Sequence, residues 1–185
     1  MQTRQLVPFS ADPQLEGLSL ACAAQWQNGL LQLRYSLSGP LEAILLPATA
    51  AKPCRRDDLW QTTCFEAFLG EPNQPHYWEI NLAPSGDWNV YALSDYRQGL
   101  QPETSVSQLP FNLERDCSAP ALQHPSDRLA LDLTLDLSSL ISADRPLELS
   151  ATAVLEHKEL GCTYWAWRHS GSEPDFHRRE SFLAL

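Results

Sequence analysis

Residues 57 to 96 carry seven acids (Asp57, Asp58, Glu66, Glu71, Glu79, Asp87 and Asp95) and no lysine or arginine. The same stretch holds Trp60, Trp78, Trp88, Tyr77, Tyr91 and Tyr96. Carboxylates and amides bind the hydroxyls of a sugar in bidentate fashion, and an indole face stacks on its apolar C–H side. Acids, an amide and aromatic rings on one shallow sheet face would therefore suit a carbohydrate. The plainer reading is that Glu66, Glu79 and Asn81 are solvent-facing strand residues.

Other chemistries can be weighed from the same residues. Glu66 and Glu79 could serve as the acid and base of a glycosidase, but two carboxylates on one sheet face are too common to support that, and no enzyme is expected. Asp57 and Asp58 with Asp87 or Asp95 offer hard oxygen ligands for calcium, although solvated turn acids explain them as well and no EF-hand spacing is present. His169 and His177 lie near Asp175, Trp165 and Trp167, where they could ligate haem or a metal, or simply hydrogen-bond at a sheet edge. His76, His124 and His157 have no partners in sequence and read as surface positions. No P-loop, dinucleotide fingerprint or serine-nucleophile motif occurs. Cys64 has no basic neighbour and reads as a buried thiol.

These groups must be positioned by strands. Leu129, Leu131, Leu133, Leu135 and Leu137 alternate with Ala130, Asp132, Thr134 and Asp136, and Leu147 to Leu155 repeats the pattern. Asn28-Gly29 is a two-residue hairpin signal, because both positions of a type I′ turn need positive φ. Folding there pairs Trp26 with Leu31, Ala24 with Leu33 and Cys22 with Tyr35, all on one face with Leu20 and Leu37. Further strands are expected at Thr62–Leu69, Tyr77–Ala83, Trp88–Ser94, Ser105–Leu113 and Cys162–His169. A short return is expected at Ser181–Leu185, with Leu41–Leu46 as a fully buried strand. A turn through 71–76 sets Glu66 opposite Asn81 and Phe68 opposite Glu79. A four-residue turn at Pro84–Asp87 pairs Ala83 with Trp88, Asn81 with Val90 and Glu79 with Ala92. One face would then carry Glu66, Glu79, Asn81 and Trp88.

Short strands, 14 prolines and no helical repeat predict an all-β chain, an antiparallel sandwich or barrel. No linker or compositional break divides it, so residues 1–185 read as one domain. The formal charge is 13 basic minus 23 acidic residues, or −10, which argues against nucleic acid and anionic membranes as partners. No apolar run approaches a membrane span. The N-terminus lacks a signal-peptide pattern, and five cysteines without a CxxC read as reduced, mostly buried thiols. A cytoplasmic location is expected.

Three ordered blocks carry a family resemblance. Residues 56–69, Arg56-Asp57-Asp58-Leu59-Trp60 through Thr63-Cys64-Phe65-Glu66-Ala67-Phe68-Leu69, resemble a signature of the DOMON-like proteins related to type 9 carbohydrate-binding modules. Residues 77–91, from Tyr77-Trp78-Glu79-Ile80-Asn81 to Trp88-Asn89-Val90-Tyr91, with Tyr96-Arg97 after them, resemble a second block. Tyr164-Trp165-Ala166-Trp167-Arg168-His169 and Pro174-Asp175-Phe176-His177 resemble the last. The resemblance implies an all-β, antiparallel two-sheet β-sandwich of jelly-roll type that binds a small ligand, a sugar, without catalysis, and relatives often carry structural calcium. It implies stacking by Trp60, Trp88 and Trp165, with Arg56, Asp58, Glu66, Glu79, Asn81 and Arg97 taking the polar groups and His169 beside them. Some DOMON relatives bind haem through a Met and a His; Met1 is the only methionine here, so that pair cannot form, while a bis-His or single-His site stays open. An interaction module without a small ligand is the remaining alternative.

Overall fold

The computed structural model describes residues 1–116 and 127–185. Its strands are β1 (Gln2–Pro8), β2 (Ser19–Gln27), β3 (Leu30–Ser38), β4 (Cys64–Gly70), β5 (Tyr77–Leu82), β6 (Trp88–Leu93), β7 (Gln101–Pro102), β8 (Phe111–Asp116), β9 (Arg128–Asp136), β10 (Glu148–His157), β11 (Gly161–Ala166) and β12 (Leu183–Ala184). Only short 3-10 turns accompany them among the described residues, and no helix is long and apolar enough to cross a membrane.

All the strand pairs are antiparallel. They form one curled sheet in the order β7-β6-β5-β4-β10-β11-β1-β2-β3-β9-β8, with β12 on the free flank of β10. The curl turns on β1. Gln2 to Leu6 pair with β2, while Val7 and Pro8 pair with β11, so one strand serves both halves of the path. The concave faces of the two halves meet. Tyr35 on β3 packs its ring 5.2 Å from Phe65 on β4 and donates its hydroxyl to the backbone carbonyl of Glu66.

Alternation decides what fills the space between the halves. Leu20, Cys22, Ala24, Leu31, Leu33, Tyr35, Leu37, Leu129, Leu131, Leu133 and Leu135 come from one half; Phe65, Ala67, Leu69, Trp78, Ile80, Leu82, Leu149, Ala151, Ala153 and Leu155 come from the other. Each fully buried leucine contributes about 1.5–3 kcal/mol by leaving water. The β2–β3 hairpin has the predicted register, Trp26 with Leu31, Ala24 with Leu33 and Cys22 with Tyr35. Asn28 (φ 53°) and Gly29 (φ 79°) supply the two left-handed positions of its turn.

Several expectations need correction. Leu41–Ala43 is a 3-10 turn, and only Ile44 makes a single bridge, to His157. Residues 105–110 are irregular, with Val106 and Leu109 buried, and the strand starts at Phe111. β1 was not anticipated, because Leu6 is its one buried side chain. His157 is buried, not superficial, and its Nδ1 accepts the backbone N–H groups of Glu159 and Leu160. Cys22 and Cys64 are buried free thiols, Cys162 is partly covered and Cys54 is exposed. Cys117 and His124 lie outside the described residues.

Candidate functional site

The half containing β4, β5, β6, β10 and β11 has a second, convex face. Phe68, Tyr77, Tyr91, Leu93, Val154 and Ala166 project from it and pack with Phe176 and Phe182 of the C-terminal segment into a separate apolar cluster. Over Glu66 and Glu79 this cover opens, leaving a pocket of about 850 Å³. Glu66, Phe68, Glu79, Tyr91 and Val154 form its floor. Asp57, Asp58 and Trp60 line one side, Arg97, Leu100 and Pro102 another, and Tyr164, Glu173, Pro174, Phe176 and His177 the rest.

Register explains which side chains reach the floor. β4 and β5 pair as predicted, Glu66 with Asn81 and Phe68 with Glu79. β5 and β6 do not. Trp88 pairs with Leu82, Asn89 with Asn81 and Tyr91 with Glu79. Five residues, Ala83 to Asp87, separate the strands, closed by the Ala83 N–H to the Asp87 carbonyl at 2.9 Å. Gly86 (φ 94°) takes the left-handed position of this turn, and a Cβ there would come within 2.8 Å of the Pro53 ring. One residue more than expected in the turn flips every side chain of β6. Trp88 therefore faces the core, and Tyr91 takes the place in the site that Trp88 was expected to fill.

The first wall is built by a loop that β6 holds. Asn89 Nδ2 donates to the Arg56 carbonyl at 2.9 Å and to Asp57 Oδ1 at 3.1 Å, and the Tyr91 hydroxyl donates to the same carboxylate oxygen at 2.7 Å. Asp58 (φ 61°) adopts the left-handed conformation that Asp tolerates, and a 3-10 turn, Leu59–Gln61, follows it. Trp60 stands on that turn, 48% exposed, at the pocket rim. Beneath the loop, Arg55 lies 4.5 Å from the Trp88 ring centroid and donates to Asn89 Oδ1 at 2.7 Å and to the Val90 carbonyl at 3.0 Å. Arg55 is thus a structural clamp for this wall.

The opposite wall is tied by charge. Arg97 (φ 52°) pairs with Asp175 at 3.0 Å, and Tyr96 donates its hydroxyl to the same carboxylate. The Tyr77 hydroxyl accepts the Arg97 backbone N–H at 3.2 Å and lies 2.9 Å from His177 Nδ1. Burial, with the positive charge of Arg97, pushes the His177 imidazole down to about 4, against the pull of Asp175, so it is neutral near pH 7.

The floor is electrostatically unusual. Glu66 is 2% and Glu79 5% exposed. Asn81 Nδ2 donates to Glu79 Oε1 at 2.8 Å, but Glu66 Oε1 and Asn81 Oδ1 have no hydrogen-bond partner. Burial first, and then the neighbouring Glu79, push the Glu66 carboxyl well above its usual range. Burial also raises Glu79, opposed by the Asn81 amide and by Arg97.

Of the ten residues singled out from sequence, Asp58, Trp60, Glu66, Glu79 and Arg97 come together around the pocket. Asn81 is buried beside them through its bond to Glu79. The other four do not line it. Trp88 and Trp165 are core residues, 7% and 3% exposed. Arg56 pairs with Asp87 at 3.1 Å. His169 places Nε2 2.9 Å from the Val7 carbonyl and packs against Phe9 and Phe176. Of the two histidines considered for haem, only His177 lines the pocket. Among the described residues no group of three or more His, Cys, Asp or Glu side chains is placed to hold a metal ion. Tyr91, Tyr164 and Phe176 were missed as lining residues. Tyr164 and Phe176 stand within the third sequence block, whose strand register assigned no role to them.

No family model and no curated protein sequence matches the chain. Among solved structures, the fold is similar to that of a candidate carbohydrate-binding protein from Bacteroides uniformis, with a TM-score of 0.73 over 100% of this chain and 85% of that one, at 13% identity. A family 9 carbohydrate-binding module from Caldicellulosiruptor kristjanssonii, in complex with cellotriose, matches with a TM-score of 0.43 over 90% of this chain and 72% of that one, at 11% identity. The second likeness is too slight to carry weight. The first shows that the chain has an all-β fold that a candidate carbohydrate-binding protein also uses.

Proposed function

We propose that the chain is a non-catalytic binding module, a sandwich of two sheets joined through β1, that holds a carbohydrate in the pocket over Glu66 and Glu79. The carrying observation is Glu66 Oε1, buried in the floor without a partner, below the exposed indole of Trp60. An orphaned buried acceptor is costly unless a ligand supplies the donor. A sugar hydroxyl supplies it while the ring stacks on Trp60. The fold shared with the Bacteroides protein supports the same reading.

Catalysis is not part of this proposal. A glycosidase keeps one carboxyl protonated and the other ionised. Here burial raises both Glu66 and Glu79 and does not push the two apart. The test is calorimetry of the purified chain against a panel of mono- and oligosaccharides. Saturable binding that Trp60→Ala removes is the expected result, and a panel without heat of binding overturns the reading.

A further inference from the structure

The pocket has a charge imbalance that a neutral sugar does not use. Asp57, Asp58, Glu66, Glu79 and Glu173 line it against a single cation, Arg97. That cation is committed to Asp175 at 3.0 Å. His177, the other basic residue in the lining, is neutral near pH 7. The acids are not merely solvated surface groups, because Glu66 lines the space while only 2% exposed, and its Oε1 is buried without a hydrogen-bond partner. Its cross-strand neighbour Asn81 also leaves an acceptor, Oδ1, without a donor.

What is missing from the floor is therefore donors and positive charge. An ammonium group provides three donors and no acceptor, and its hydrogen bonds to carboxyl groups are the stronger, charge-assisted kind. Aromatic faces add to the match. Trp60, Tyr91 and Tyr164 line the same pocket, and rings of this kind attract cations through their quadrupoles. Resting on the carbohydrate reading, we infer that the pocket selects a sugar bearing a protonated amine over its neutral counterparts.

Calorimetry at about pH 6.5, below the usual range of an amine, compares glucosamine, N-acetylglucosamine and glucose on the intact chain. The three differ at one position, where the amine is charged, acylated or replaced by hydroxyl. Glucosamine is expected to bind about tenfold or more tightly than either neutral sugar, from charge-assisted hydrogen bonding and cation–π attraction. Glu79→Gln should bring that ratio close to one. Glucose or N-acetylglucosamine binding as tightly as glucosamine overturns the preference and leaves the carbohydrate reading intact. Absence of binding by all three and by the wider panel of mono- and oligosaccharides overturns the carbohydrate reading itself. Both outcomes are read on the unmodified chain, so a variant that fails to fold does not blur them.

Discussion

Glu66 stands directly opposite Asn81 across β4 and β5, and each leaves one buried oxygen without a hydrogen-bond partner. Asn81 cannot turn its amide N–H₂ to relieve Glu66, because Nδ2 is committed to Glu79 Oε1 at 2.8 Å. Two acceptors on opposed residues are tolerable only if a proton or an outside donor intervenes. Burial supplies the first remedy by raising the Glu66 carboxyl, and a ligand would supply the second.

The first remedy makes stability depend on pH in a definite sense. Glu66 holds its proton in the folded chain to higher pH than in the unfolded chain, where carboxyls titrate near 4.5. The folded state then binds more protons, so this contribution is full in acid and declines as pH rises above the unfolded value. Its slope is at most about 1.4 kcal/mol per pH unit. Glu66→Gln keeps the shape and cannot ionise. It should be more stable than the parent near pH 8, with the difference shrinking as pH falls toward 4.5, read as urea midpoints across that range.

His177 works in the opposite direction and in a lower window. Its imidazole titrates near 6.5 when free and about 4 in the fold. The unfolded chain therefore takes up a proton first, and stability is lost as pH falls from 6.5 toward 4. His177→Gln should remove about 1–2 kcal/mol of the loss between pH 7 and 5. Parallel urea titrations of parent and variant give the difference, and identical pH profiles would show that the imidazole is not buried as described.

The contrast between Glu66 and Tyr91 shows how far the site was legible in advance. Alternation and the Asn28-Gly29 turn were enough to set the β2–β3 register, and alternation also placed Glu66 opposite Asn81. The next turn defeated the same logic. Pro84-Ser85-Gly86-Asp87 reads as a complete turn, but Ala83 joins it through its N–H to Asp87, and that one residue moves Tyr91 into the floor and Trp88 into the core. Both faces of β6 carry large apolar residues, so hydrophobicity did not favour either register. β1 escaped notice for a related reason, since a strand with one buried side chain has no period to detect. The wall from Glu173 to His177 has no regular structure, and tertiary contacts position it: Phe176 in the apolar cluster, Asp175 with Tyr96 and Arg97, and His177 with Tyr77.

The tryptophans separate binding from folding. Trp60 is 48% exposed, so Trp60→Ala should leave stability within about 1 kcal/mol while removing sugar binding. Trp88→Ala and Trp165→Ala each open a cavity in the core and should cost about 3–5 kcal/mol. Thermal melts alongside calorimetry distinguish the two classes. A large stability loss in Trp60→Ala would mean that the indole supports the fold instead of the ligand.

Tyr35 tests whether the two halves of the curled sheet act together. Its hydroxyl reaches across the core to the Glu66 backbone carbonyl, and among the described residues its ring is fully buried against Phe65. Tyr35→Phe keeps the ring and deletes that bond, leaving the carbonyl with the weaker Thr152 hydroxyl contact at 3.4 Å as its side-chain donor. A buried neutral hydrogen bond of this kind contributes about 0.5–1.5 kcal/mol, which is the expected cost. Because the accepting residue also floors the pocket, the variant should weaken sugar binding as well as lower the melting temperature. Tyr35 lies on the concave side and does not line the pocket. Loss of stability with unchanged affinity would show that the position of Glu66 is set by β4 and β10 alone.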